Sequence, residues 1–75
     1  MFQELEVVVL TSDLPANQLK VGDVGTVVLV HGDGQGYEVE FSSFTGETLA
    51  VVSVYPDQIR RVDRREIAHA RLIEA

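Results

Sequence analysis

Cysteine and tryptophan are both absent from this chain of 75 residues, and proline occurs only twice. Without cysteine there is no disulfide framework and no thiolate metal site. The longest apolar runs, such as Val7–Leu10 and Leu49–Val52, have four residues and are far too short to span a membrane. The N-terminus lacks the basic start and apolar stretch of a signal peptide, so we expect a cytoplasmic protein with no membrane contact.

Basic residues are scarce in most of the chain. Residues 1–59 contain nine acidic residues and a single base, Lys20, which gives this part a net charge of −8. Residues 60–75 contain five arginines and three acids, for a net charge of +2. Because nucleic acids and anionic lipids are bound by clustered cations, a nucleic-acid ligand is not expected. Two alternatives stay open for the arginine-rich tail: it contacts an acidic partner, or it folds back on the acidic part of the chain.

Short segments rich in β-branched residues indicate an all-β protein. Tyr37, Val39 and Phe41 alternate with two glutamates, which predicts that these three side chains point into a core. Gly25 interrupts the second segment and indicates a bulge or a sharp bend, where a side chain would obstruct a close backbone approach. Five segments are predicted as strands: Leu5–Leu10, Val24–His31, Tyr37–Phe41, Thr48–Val54 and Ile59–Val62.

The connections between these segments have the composition of loops and tight turns. Thr11–Val21 has no sustained period and is predicted to be a long loop. The glycine-rich stretch Gly32–Gly36 is typical of a hairpin turn, and Pro56–Gln58 predicts a single helical turn. Together these features predict one small domain over residues 1–62, an antiparallel barrel or sandwich of five strands.

The tail over residues 63–75 has a different pattern. Asp63 and Glu66 have the spacing of a helix capping box, and good helix formers follow them, so we predict a helical tail. Its apolar residues do not gather on one face of the predicted helix, which would therefore bury little against its own domain. Such a helix either frays or is ordered by a partner.

Residues 20–28, with the sequence KVGDVGTVV, resemble the entry strand of Src-homology-3-like (SH3-like) barrels. The same Gly-Asp-x-Gly-x-Val pattern occurs in ribosomal KOW modules and in a small ferredoxin-docking subunit of photosystem I. From Val7–Pro15 through Tyr37–Phe41 to Pro56–Arg60, the chain is similar to a family of short, mostly bacterial proteins that is defined only as a domain of unknown function. That resemblance covers residues 5–62 and implies a five-stranded SH3-like (KOW-like) barrel, to which the tail would add a short C-terminal helix.

Function does not transfer with this resemblance, because one fold hosts many activities. KOW modules and ferredoxin-docking barrels present basic surfaces, whereas residues 1–59 are strongly acidic. We therefore transfer no RNA or ferredoxin site. Peptide-binding SH3 domains grip proline-rich ligands with exposed aromatics. Tyr37 and Phe41 share one strand face here and are expected in the core, which disfavours a proline groove.

No pattern of catalytic or metal-binding residues is present. Neither His31 nor His69 has a second ligand at metal spacing, and the aspartates lack the spacing of a calcium loop. The glycine-rich stretch lies between two strands instead of preceding a helix, as a phosphate-binding loop would. The serines have no strand–turn–helix elbow. We therefore expect no enzyme activity, no cofactor, no metal and no small-molecule substrate.

The function hypothesis from the sequence is a non-enzymatic protein-binding module. Its tail would contact another protein or a second copy, giving a homodimer. An alternative is an acidic antitoxin or immunity-type partner of a basic enzyme, because acidic surfaces steer association onto cationic sites. The predicted partner contacts all lie within residues 60–75: Arg60, Arg61, Arg64, Arg65, His69, Arg71 and Leu72.

Overall fold

Five antiparallel strands form a single sheet in the computed structural model, which describes residues 1–73. The strand order across the sheet is β4-β3-β2-β1-β5, so the first and last strands lie side by side. The all-β prediction is therefore confirmed. The strands are β1 (Val7–Leu10), β2 (Val24–His31), β3 (Gly36–Ser42), β4 (Thr48–Val54) and β5 (Ile59–Arg61).

The core contains inward-facing side chains from all five strands and the long loop after β1. Tyr37, Val39 and Phe41 of β3 are buried, as their alternation predicted. Leu19 completes the core from the loop. The other members of the core cluster are Val8, Leu10, Val27, Val54 and Ile59.

Gly25 occupies a position where only a hydrogen fits. A Cβ atom placed there would lie 2.6 Å from Cγ1 of Val39 and 2.9 Å from the carbonyl oxygen of Glu40. The close backbone approach predicted from the sequence is thus confirmed. Nearby, the register between β2 and β3 shifts between Val27 and Leu29, which marks a local irregularity of the sheet.

The predicted turns are present. Gly32 and Gly34 adopt positive φ angles of 57° and 94° in the hairpin between β2 and β3. Pro56–Gln58 forms a single 3-10 turn before β5, and a second one, Pro15–Asn17, lies in the long loop. Gln18 ends that second turn with a φ of 60°, in the left-handed region that non-glycine residues rarely adopt.

The two edges of the sheet differ in length and charge. β4 has seven residues, borders only β3 and contains no charged side chain. β5 has three residues, borders only β1 and ends in two arginines. Short, charged strands are a common way to protect a sheet edge from pairing with another chain.

The helical tail predicted for residues 63–75 is wrong over residues 63–73, where the structure has no helix, and Glu74 and Ala75 lie outside the described residues. Half of the capping box forms: the Asp63 amide donates to Oε1 of Glu66 (2.6 Å), whereas Oδ1 of Asp63 accepts from the amide of Arg65 (3.0 Å) instead of that of Glu66. The chain leaves helical geometry after that one turn. A helix without an apolar stripe would bury little, whereas an extended path lets Arg71 and Ile73 reach the rest of the molecule. Within residues 1–73 no helix is long and apolar enough to cross a bilayer.

Candidate binding groove

An open groove of about 410 Å³ lies between the sheet and residues 63–73, which we call the C-terminal segment. Residues 1–62 are called the body. The apolar lining from the body is Leu19, Val24, Phe41, Phe44 and Leu49. The segment adds Ala68, His69, Arg71, Leu72 and Ile73. The tail therefore folds back on the acidic body, which is one of the two alternatives left open by its charge.

The turn between β3 and β4 places an exposed aromatic ring at the groove. The Ser43 amide donates to the Glu47 carbonyl (2.8 Å), and Gly46 supplies the positive φ of 94° that closes the turn. Phe44, inside this turn, is 83% exposed and lines the groove. Leu49 follows at the start of β4 and is also exposed. Apolar side chains are thus presented to solvent beside the segment.

The connection between β1 and β2 contributes the carboxylate of Asp23 to the groove. Oδ2 of Asp23 accepts a hydrogen bond from the Lys20 amide (2.8 Å), and Oδ1 of Asp13 accepts one from the Val21 amide (2.9 Å). Aspartates commonly cap turns in this way. These caps fix the loop end and hold the Asp23 carboxylate beside β2.

Arg71 of the C-terminal segment binds this carboxylate with two hydrogen bonds. Its Nε donates to Oδ1 of Asp23 (2.8 Å) and its Nη2 donates to Oδ2 (2.5 Å). Nη2 also donates to the carbonyl of Gln18 (2.9 Å). A planar guanidinium suits this forked geometry, and such charge-assisted pairs are among the stronger hydrogen bonds. We call the Asp23 carboxylate together with the Gln18 carbonyl the arginine notch.

The notch is substantially covered by the surrounding protein. The Asp23 side chain is 17% exposed and that of Arg71 is 31% exposed. Partial burial alone would raise the pKa of Asp23, but hydrogen bonds from Arg71 and the Lys20 amide, with the charges of Arg71 and Lys20, outweigh it and lower the pKa. The same pairing raises the pKa of Arg71. Asp23 is therefore an ionised hydrogen-bond acceptor at neutral pH.

Two aliphatic residues follow Arg71 and lie differently. Ile73 is partly buried and packs against the body's core cluster. Leu72 lines the groove but is 81% exposed. The segment is thus attached at Arg71 and Ile73, with an exposed apolar side chain between them.

Two of the other predicted contact residues also pair within the chain. Arg60 donates to both carboxylate oxygens of Glu66 (2.8 and 2.7 Å), a contact that lowers the pKa of Glu66 to about 2. Arg61 forms an ion pair with Glu6 (2.8 Å) and donates to the Met1 carbonyl (2.6 Å). Its guanidinium also lies 4.8 Å from the centre of the Phe2 ring. These contacts connect β5 to the segment on one side and to the N-terminus on the other.

The remaining predicted contacts divide between groove and solvent. His69 is exposed and lines the groove together with Leu72. Arg64 and Arg65 are exposed, and their guanidinium groups make no hydrogen bond or ion pair to any residue in the range 1–73. The structure thus brings His69, Arg71 and Leu72 together and leaves Arg60, Arg61, Arg64 and Arg65 outside the groove.

Titratable side chains elsewhere make local pairs only. His31 Nε2 lies 2.7 Å from Oε2 of Glu38, which also accepts from the Ser53 hydroxyl. The hydrogen bonds from Ser53 and His31 lower the pKa of Glu38. Over the described part of the chain, no three histidine, aspartate or glutamate side chains are grouped so that they could hold a metal ion.

The sequence did not predict the residues of the body that line the groove. Asp23 and Arg71 are 48 positions apart, and only the fold brings them together. Phe44 did carry a signal: a large aromatic residue inside a turn rich in serine, threonine and glycine cannot point into a strand's core. The composition of this turn indicates that the Phe44 side chain is exposed, but it does not indicate which residues lie beside it.

Residues 4–61 match a family described as a domain of unknown function, DUF4926. The chain belongs to this family. The matched range contains all five strands and the arginine notch, whereas residues 63–73 of the segment lie beyond it. Neither the curated proteins nor the solved structures contain a match to the chain.

Proposed function

We propose that this DUF4926 protein is a non-enzymatic protein-binding module, built as an SH3-like barrel, that binds its partner in the groove between the body and the C-terminal segment. The strand order β4-β3-β2-β1-β5 and the 3-10 turn between β4 and β5 support the barrel. The cytoplasmic and bacterial setting expected from the sequence belongs to the same proposal.

The observation that carries the proposal is the solvent-exposed apolar lining of the groove. Phe44, Leu49, Val24 and Leu72 are all exposed and line the same cavity. Scattered exposed apolar side chains are normal, but a contiguous group beside a concave surface is typical of an interaction site. Aromatic side chains in particular dominate the energetics of protein interfaces.

The chemistry of the groove supports binding over catalysis. Asp23 accepts hydrogen bonds from its neighbours and has a lowered pKa, the opposite of a general acid poised near neutral pH. Ser42 and Ser43 line the groove, but Ser43 is used within its own turn, where it accepts from the Glu47 amide (3.1 Å). A nucleophilic serine requires an adjacent base, and among the described residues neither serine hydrogen-bonds to His69, the imidazole that also lines the groove.

The proposal is tested with a photo-crosslinking amino acid placed at Phe44 in the full chain. Tyr55 is the matched control, because it is also an exposed aromatic residue (70%) but follows the opposite end of β4. We expect a discrete crosslinked protein from position 44 and none from position 55. The purified partner should bind the full chain, and Phe44→Ala should weaken that binding at least tenfold while Tyr55→Ala leaves it unchanged. No adduct at position 44, or the same adducts at both positions, would overturn the proposal.

The acidic-antidote alternative is supported by the internal pairing of Arg60, Arg61 and Arg71. Each of them forms an ion pair with one carboxylate of the chain, so the net charge of −6 is carried by residues outside these three pairs. A surface of this kind would steer association onto a cationic enzyme. Co-expression with a basic enzyme encoded beside this chain should then restore growth, and unchanged toxicity would reject the alternative.

A further inference from the structure

We propose that the arginine notch is a recognition site for an arginine side chain of the partner protein, presented in an extended segment with aliphatic residues after the arginine. In the free chain, Arg71–Ile73 would occupy this site as an internal substitute. This inference rests on the proposed function and names the chemistry of the partner.

The notch has the geometry of a guanidinium receptor. The carboxylate of Asp23 accepts two parallel hydrogen bonds, and the Gln18 carbonyl accepts a third. The hydrogen bond from the Lys20 amide fixes the Asp23 carboxylate independently of Arg71. The position of this acceptor therefore does not depend on the arginine that now occupies the notch. A lysine ammonium cannot reproduce this planar fork.

The internal occupant is held by few contacts. Residues 67–73 form no helix and no strand, and Ile67 and Leu72 are almost fully exposed. Among the described residues, this stretch is connected to the body at the groove by the Arg71 hydrogen bonds to Asp23 and Gln18 and by the packing of Ile73. A partner therefore has to replace one forked ion pair, one hydrogen bond to the Gln18 carbonyl and one aliphatic contact.

Charge and shape favour a basic partner segment. Residues 1–59 have a net charge of −8, which attracts a cationic peptide. The exposed apolar residues Phe44 and Leu49 line the same groove as the notch and would contact aliphatic side chains next to the arginine. The chain's own sequence Arg71-Leu72-Ile73 gives the template for such a segment.

Because Arg71–Ile73 belong to the same chain as the notch, they compete with an added peptide for it at high effective concentration. Removing this occupant should therefore strengthen binding of an added peptide, since the site is then available in every molecule. The probe is a capped peptide with the sequence of residues 67–73, IAHARLI, titrated into the full-length protein by calorimetry. A second peptide has glutamine at the arginine position.

We expect the Arg71→Ala chain to bind the arginine peptide at least tenfold more tightly than the unaltered chain. Adding Asp23→Asn to Arg71→Ala should remove that gain, because asparagine keeps the oxygen that caps Lys20 but loses the charge. The glutamine peptide should bind neither chain. Arg64→Ala is the matched control, since it removes the same charge from an exposed position and should leave affinity unchanged.

Equal affinities of the Arg71→Ala and unaltered chains would overturn the inference, as would a gain that survives Asp23→Asn. A dimer of the unaltered chain that Arg71→Ala converts to a monomer would also overturn it, because a second copy would then be the occupant. If the crosslink from position 44 persists unchanged in the Asp23→Asn chain, the protein-binding function stands and the arginine site fails.

Discussion

The body and the C-terminal segment are held in place by different kinds of interaction. All ten buried hydrophobic residues of the described chain lie between Val8 and Ile59, in the body. The segment is attached mainly by ion pairs, Arg71 with Asp23 and Arg60 with Glu66, and by the packing of Ile73. Apolar burial is largely indifferent to pH, whereas ion pairs near the surface contribute little and depend on protonation. One short chain therefore has a part held together by apolar burial and a part attached mainly by ion pairs, and we expect acid to release only the second.

The largest expected effect is the loss of Tyr37, the largest side chain that is fully buried in the body. Its ring packs edge-on against Phe2 at 5.3 Å, and its hydroxyl accepts a hydrogen bond from the Phe2 amide (3.1 Å). Tyr37→Ala should lower the free energy of unfolding by about 4 kcal/mol, as large-to-small changes of buried aromatics do. Urea denaturation measures this. Tyr55→Ala, the exposed counterpart, should change it by less than about 0.5 kcal/mol, and equal effects would contradict the assignment of the core.

The next effect comes from adding a single methyl group at Gly25. Because its Cβ would lie within 2.9 Å of a backbone carbonyl and two core side chains, Gly25→Ala should cost about 2–3 kcal/mol of unfolding free energy. Gly36→Ala is the control, since its nearest neighbour would be 3.6 Å away and φ there is not positive. Thermal unfolding should give a clearly lower midpoint for Gly25→Ala than for Gly36→Ala. A Gly25→Ala chain as stable as the unaltered protein would show that β2 and β3 lie farther apart at this position than in the structure.

Acid should separate the segment from the body. The lowered pKa of Asp23 and the pKa of about 2 for Glu66 mean that both attachments are complete above the ordinary carboxyl pKa and are lost as pH falls through the lowered values. Between about pH 4.5 and pH 2, the NMR methyl signals of Ile73 should shift toward those of an unstructured chain while those of Val39 stay unchanged. A single transition shared by Ile73 and Val39 would show that segment and body unfold as one unit.

The smallest effect is expected at Arg64 and Arg65. Both side chains are exposed and make no ion pair with any residue of the described range. Replacing either with alanine should change the free energy of unfolding by less than about 0.5 kcal/mol. A larger loss in urea denaturation would mean that these arginines help to hold the segment in place.

The sequence predicted those features that depend on local pattern. The alternation of Tyr37, Val39 and Phe41 gave the core face of β3, because side chains alternate across a strand. Gly25 indicated the close approach, and the glycines of Gly32–Gly36 indicated the hairpin. Each of these signals is contained in a few adjacent residues.

Features that depend on tertiary contacts were missed or predicted wrongly. The capping box at Asp63 and Glu66 is a local signal, and one of its two hydrogen bonds forms, but a helix also needs a face to bury. The notch joins Gln18, Asp23 and Arg71, and no local rule connects positions so far apart. The absence of an apolar stripe in the tail did indicate that a regular helix would not pack on the body.

The free edge of β4 has a consequence for the protein in solution. Seven uncharged residues with unpaired backbone groups on one side are a template for another strand, and no charge on the strand itself opposes that pairing. Mutual repulsion between molecules of net charge −6 takes the place of that missing protection. This repulsion depends on pH and on salt. It vanishes near the isoelectric point of about 4.6, and its range shortens as salt is added. The colloidal stability of this protein is therefore set by its surroundings, and acidification or high ionic strength brings the β4 edges of neighbouring molecules within reach of one another.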